Sequence, residues 1–149
     1  MKLDPGLVLP ERRNDYRGPA IAAWFLAAYT LVASVRSLIH MLAPDGGTES
    51  IAHIDVAVPG GGNIVALFGQ WGLEQLLLAV VAWVVLLRYR VFVPLMLGLA
   101  FLDLLGRFLV GQLKPVEAAA TPPGTIGTYV ALPLVLAFFV VSLLHRDEG

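Results

Sequence analysis

The chain contains no cysteine, which excludes disulfides, thiolate ligation of a metal and a cysteine nucleophile. Charge is scarce as well: 14% of the 149 residues, with a net charge of −1 and no long basic run. Nucleic acid is therefore excluded as a partner, because nothing here would track a phosphate backbone. Nucleotide-binding loops are missing too. The stretches Pro44-Asp45-Gly46-Gly47 and Pro59-Gly60-Gly61-Gly62 lack the following Lys-Ser/Thr of a Walker loop, and no strand precedes them. An isolated His53-Ile54-Asp55 is too few ligands for a metal site, so no cofactor is expected.

What the chain has in abundance is apolar surface: 58% of its residues are hydrophobic and the mean hydropathy is +0.78. Four long apolar runs stand out, at about residues 20–41, 64–87, 91–110 and 126–144. Each is near the ~20 residues a helix needs to cross a hydrocarbon core about 30 Å thick. The first run follows a long polar segment bearing acids as well as bases and exceeds a signal-peptide core in length, so it reads as a retained span. The predicted architecture is all-α: an integral membrane four-helix bundle formed by residues 20–144, with tails at 1–19 and 145–149.

Basic residues set an expected orientation. Lys2, Arg12, Arg13 and Arg17 precede the first run, Arg88 and Arg90 fill the turn between the second and third, and Arg146 follows the fourth. The loop at 43–63 has neither Lys nor Arg, and the loop after the third run has only Lys114. The positive-inside rule then makes both termini cytoplasmic.

Inside these runs stand three polar pairs, Arg36/His40, Gln70/Glu74 and Asp103/Arg107. A charge at the centre of a membrane helix costs roughly 2.5–3.5 kcal/mol on insertion scales, so such residues mark a polar interior. A rise of 1.5 Å per residue puts Arg36, Gln70, Glu74, Asp103 and Arg107 about 6–15 Å below the outer ends of their spans. Members of each pair share a helix face, because four residues advance only about 40° around the axis. Asn63 continues the second stripe outward, and a small-residue line, Ala23, Ala27, Thr30 and Ser34, favours close approach on the first helix. Converging polar faces predict a pocket in the outer half of the bundle; in a purely structural network Asp103 and Arg107 would pair within their own helix and Arg36 with Glu74 across the bundle. Toward the cytoplasm, the runs 76–85, 95–102 and 135–141 offer no ionisable group and predict a dry layer.

Glu74 is the candidate proton donor, as the deepest acid among apolar neighbours, and His40 is the second titrating group. Tyr129 is placed to offer its hydroxyl to the same pocket. His53, Asp55, Asn63 and Lys114 fall at its mouth, under loops whose turns are set by Pro-Gly-Gly-Gly at 59–62 and Thr-Pro-Pro-Gly at 121–124. Alternatives remain for each: a loop-bonded histidine at His40, an interfacial anchor at Tyr129, and a network that only holds the helices together.

The run Leu86-Leu87-Arg88-Tyr89-Arg90, Pro94-Leu95-Met96, Asp103 to Arg107, Gly111, Lys114-Pro115, Thr121-Pro122-Pro123-Gly124, Gly127 and Pro133 resembles a group of small four-helix bacterial membrane proteins, distantly similar to the DoxX-like superfamily. The resemblance implies a multi-pass protein of the bacterial inner membrane and carries no reaction with it. Three functions stay open: a pocket for a lipid or small amphiphile, an accessory subunit of a membrane complex with a structural ion-pair network, and a proton-coupled transporter. The partners expected are membrane lipids, a lipid-like ligand or a membrane protein.

Overall fold

A computed structural model describes residues 11–144. Lys2 and Arg146, which contribute to the expected orientation, and the tail at 145–149 lie outside the described residues. Among the described residues the fold is all-helical: α1 (Ala20–Leu42), α2 (Gly61–Arg88), a short 3-10 turn (Arg90–Phe92), α3 (Val93–Leu113) and α4 (Pro123–Ser142). All four long helices are apolar enough and long enough to cross a membrane. Prolines open α3 and α4, where their fixed φ suits the first turn and their missing N–H has no partner to lose.

The helices form two hairpins, α1 against α2 and α3 against α4, which meet along a sparser seam. Without a hydrophobic drive between helices in lipid, close packing depends on small residues. Gly72 of α2 meets α1 most tightly: a Cβ there would lie 2.7 Å from His40 Cβ and 2.9 Å from the Ser37 carbonyl oxygen. The buried seam of α2 continues through Gln75, Ala79, Ala82 and Leu86, at alternating three- and four-residue steps that keep one face inward. A ring stack of Phe25 on Phe138, 4.0 Å between centres, joins α1 to α4. The main apolar core, Ala22, Leu26, Ala82, Val85, Leu86, Val93, Met96 and Leu97, sits toward the tight α2–α3 turn.

Hydrogen bonds tie each end of the bundle. At the tight-turn end the Arg13 N–H donates to the Arg88 carbonyl (3.1 Å) and the Tyr16 hydroxyl to the Ser142 carbonyl (3.2 Å). At the opposite end the Ala119 N–H donates to the His53 carbonyl (2.9 Å), joining the α1–α2 and α3–α4 loops. The first of these loops is a built turn. Gly46 and Gly47 have φ of +61° and +72°, a left-handed backbone that glycine adopts freely. The Asp45 carboxylate then accepts N–H groups of Gly47 (2.9 Å), Glu49 (3.2 Å) and Ser50 (2.8 Å). Those bonds, Ser50's first and then Gly47's, hold the Asp45 carboxyl well below the usual carboxylate range.

Candidate functional site

Toward the long-loop end, α1, α2 and α3 bring a polar cluster together around Trp71. The guanidinium carbons of Arg36 and Arg107 lie 5.1 and 5.2 Å from its ring centre, cation–π contacts that strengthen when water is excluded. His40 stacks on the same indole at 5.1 Å, and Phe68 meets it edge-on at 5.7 Å. Trp71 is thus a hub between a cation from α1 and one from α3. Its carrier α2 is held against α1 at Gly72, the adjoining residue.

Arg36 donates through Nη2 to Gln75 Oε1 across the α1–α2 interface. Because a guanidinium only donates, this bond fixes the Gln75 amide with Nε2 as the free donor. Gln75 is nine-tenths buried, at 9% exposure, and its Nε2 has no partner among the described residues. Arg107 pairs with Asp103 of its own helix, while its Nε is buried without a partner. The charges here do not cancel: Arg36 and Arg107 stand against Asp103. Arg107, Tyr29 and Asp103 are the electrostatic neighbours of Arg36; Glu74 is not among them.

Beneath the cluster lies a cleft of about 40 Å³. Gln75, Asp103, Arg107 and Tyr29 line its polar part, and Leu26, Leu78, Ala79, Ala82, Met96 and Ala100 its apolar part. All of its lining residues come from α1, α2 and α3, so neither long loop covers it, contrary to the expectation of a loop-lidded mouth. Leu78 is 40% exposed, so the cleft meets the bundle surface along the seam beside α2.

The expected site residues divide accordingly. Arg36, His40, Asp103 and Arg107 gather at the cluster; Gln70, Glu74 and Tyr129 do not. Gln70 and Glu74 are exposed on the outward face of α2, and no described group bonds to Glu74. The expected Arg36–Glu74 ion pair is therefore corrected to a hydrogen bond from Arg36 to Gln75, one residue, or about 100° of helix, further round. Asp103 and Arg107 do pair within α3, as expected of them, and no ion pair between helices is seen among the described residues. His40 is buried and its Nδ1 lies 2.7 Å from the Gly46 carbonyl; a carbonyl only accepts, so Nδ1 carries the proton. Tyr129 is 54% exposed, with its ring edge-on to Phe108 at 5.8 Å and its oxygen 3.5 Å from Gln112 Nε2.

At the proposed mouth, His53, Asp55, Asn63 and Lys114 are all exposed. His53 has φ +57°, and the Asp55 carboxylate closes a local turn by accepting the Ala57 N–H (2.8 Å). No group of His and acidic residues among the described residues is arranged to hold a metal.

Sequence reasoning passed over Trp71, Gln75 and Tyr29. The signal for Gln75 was available: it shares a stripe of α2 with the small residues Gly72, Ala79 and Ala82, of the kind that marks a packed face. The Tyr29 hydroxyl forms no hydrogen bond with the described residues, yet it lines the cleft. Comparison of the chain with family models, curated proteins and solved structures gave no match.

Proposed function

We propose that this protein is a multi-pass protein of the bacterial inner membrane that binds a lipid or small amphiphile in the cleft between α1, α2 and α3. The observation that carries the reading is the cleft's division into two chemistries. One part is lined by Gln75 and Arg107, whose Nε2 and Nε are buried without acceptors; the other is lined by aliphatic side chains and Met96. A buried unsatisfied donor costs about 1–3 kcal/mol, and an amphiphile's head relieves that cost while its tail covers the apolar floor.

In this reading both termini are cytoplasmic. Arg13, Arg17, Arg88 and Arg90 then lie inside, and the Trp71 cluster lies in the outer half. Cysteines introduced at Gly46 and Ala119 label with an impermeant reagent from outside, and one at Tyr89 does not. For binding, native mass spectrometry of protein released from native membranes tests the proposal. Ala33 of α1 also lines the cleft, and a co-purifying amphiphile that is lost on filling it with Ala33→Leu supports the proposal. A protein that carries nothing and takes up no added lysolipid overturns it.

One observation favours the accessory-subunit reading alongside. Asn63, Leu67, Gln70, Glu74, Leu77 and Val81 are all exposed and recur at the alternating four- and three-residue spacing of a helix-packing seam. Gln70 and Glu74 facing hydrocarbon are costly unless another helix covers them. Disulfide crosslinking from Leu77→Cys to a second polypeptide in membranes tests this reading.

A further inference from the structure

We propose that the head group the cleft selects is a carboxylate. The inference rests on the amphiphile reading of this cleft and goes further, to the chemistry of the ligand's polar end. Three features point the same way. The cluster carries two guanidiniums, from Arg36 and Arg107, against the single carboxylate of Asp103, so it lacks one negative charge. A half-buried cation in excess of its partners favours a ligand anion.

Its unpartnered groups are donors. Gln75 Nε2 and Arg107 Nε are buried without acceptors, and the Tyr29 hydroxyl on the cleft wall also donates to no described residue. The Arg36 bond to Gln75 Oε1 keeps the amide oxygen engaged, so the group Gln75 has left to offer is a donor. An ionised carboxylate offers two oxygens with about four acceptor sites and no donor, and charge-assisted bonds to it are the strong ones.

Layout agrees. Gln75, Asp103 and Arg107 line one part of the cleft and aliphatic side chains the other, the two-part form that a single-chain acid would match. The apolar floor formed by Leu26, Ala79, Ala82 and Met96 continues from the donors, where a single acyl chain would follow. A neutral alcohol would satisfy donors but leave the charge excess standing.

The test uses the full chain in lipid nanodiscs with three probes: dodecanoate, dodecanol and acetate. Binding is read by competition against dodecanoate labelled with ¹³C at its carboxyl, whose resonance also reports ionisation. Dodecanoate bound about tenfold or more tightly than dodecanol is the expected result, since charge-assisted bonds distinguish the two heads. Its carboxyl resonance should also stay at the ionised position at pH values where the bilayer-bound acid is protonated. Gln75→Glu keeps an acceptor for Arg36, removes the free donor and cancels the excess charge; it should abolish the preference while helix content by circular dichroism is unchanged.

Equal affinity for dodecanoate and dodecanol would overturn the carboxylate inference and leave the amphiphile reading standing. Failure of both to bind would overturn both. Displacement of dodecanoate by millimolar acetate would support carboxylate recognition and reject the acyl chain as its source. The comparison of dodecanoate with dodecanol on the unmodified chain needs no variant, so it decides even if Gln75→Glu does not fold.

Discussion

Gly72→Ala introduces the smallest possible side chain at the place where α1 and α2 come closest. On an open helix face the change would help, because alanine is favoured over glycine in a helix interior by about 1 kcal/mol. Here the new Cβ would stand 2.7 Å from His40 Cβ, 2.9 Å from the Ser37 oxygen and 3.2 Å from the Met41 nitrogen. Two of these three atoms are backbone and have no rotamer to change, so the helices must separate. Overpacking of this kind costs about 1–3 kcal/mol, which offsets the propensity gain and leaves a net loss of up to about 2 kcal/mol. Separation at Gly72 also draws Arg36 away from Gln75 and His40 away from Trp71, so cleft binding should weaken with stability. The matched control is Gly106→Ala on α3, whose Cβ would meet nothing within 4 Å; its stability should be unchanged or raised by up to about 1 kcal/mol. Reversible unfolding in mixed micelles, followed by tryptophan fluorescence and circular dichroism, measures both. If Gly72→Ala proved as stable as Gly106→Ala, the close α1–α2 approach that positions the cluster would be refuted.

Glu74→Leu should leave monomer stability in micelles within about 0.5 kcal/mol, because Glu74 is exposed and unpaired; a loss of several kcal/mol in the same unfolding assay would mean that α2 presents a different face. Arg107→Gln should destabilise by roughly 2–3 kcal/mol, below the range for a fully buried pair since the partners are 21% and 33% exposed. Adding Asp103→Asn should recover most of that loss, and a double variant no better than the single would contradict the pairing. Asp45 has a folded pKa below its ordinary 3.8, so its contribution is fully present above that value and is lost as pH falls through the folded pKa. Protection of the Ser50 and Gly47 amides, taken against their intrinsic exchange rates, should therefore fall in acid in the unmodified chain, and Asp45→Asn should remove that dependence.

The four helices were legible because a run of some 20 apolar residues has few other uses. Which way each helix faces was harder to read. On α2 the polarity of Gln70 and Glu74 argued for the interior, while the small residues Gly72, Ala79 and Ala82 argued for a face roughly 150° away, and packing decided in favour of the small residues. A hydropathy argument weighs the cost of a polar group in lipid, and steric fit between backbones is invisible to it. On α1 and α3 polarity and small size pointed to the same face: Thr30, Ser37 and His40 are buried on α1, and Ala100 on α3 lies one turn from Asp103. There Arg36, His40, Asp103 and Arg107 do converge. Trp71 was hidden for a different reason. Aromatic residues are common at membrane interfaces, and its role as a platform for two cations depends on residues 35 and 36 positions away in the chain. The absence of loop residues from the cleft depends on how the hairpins dock, which no local pattern encodes.

A high-resolution density map of the protein in nanodiscs prepared directly from native membranes tests the central claim most directly. The account predicts elongated non-protein density in the cleft, with its polar end against Gln75 Nε2 and Arg107 Nε and its tail along Leu26, Ala79 and Met96. A cleft closed and dry, with both donors turned to protein acceptors, would contradict it and leave the Trp71 cluster as a device that only holds the helices together.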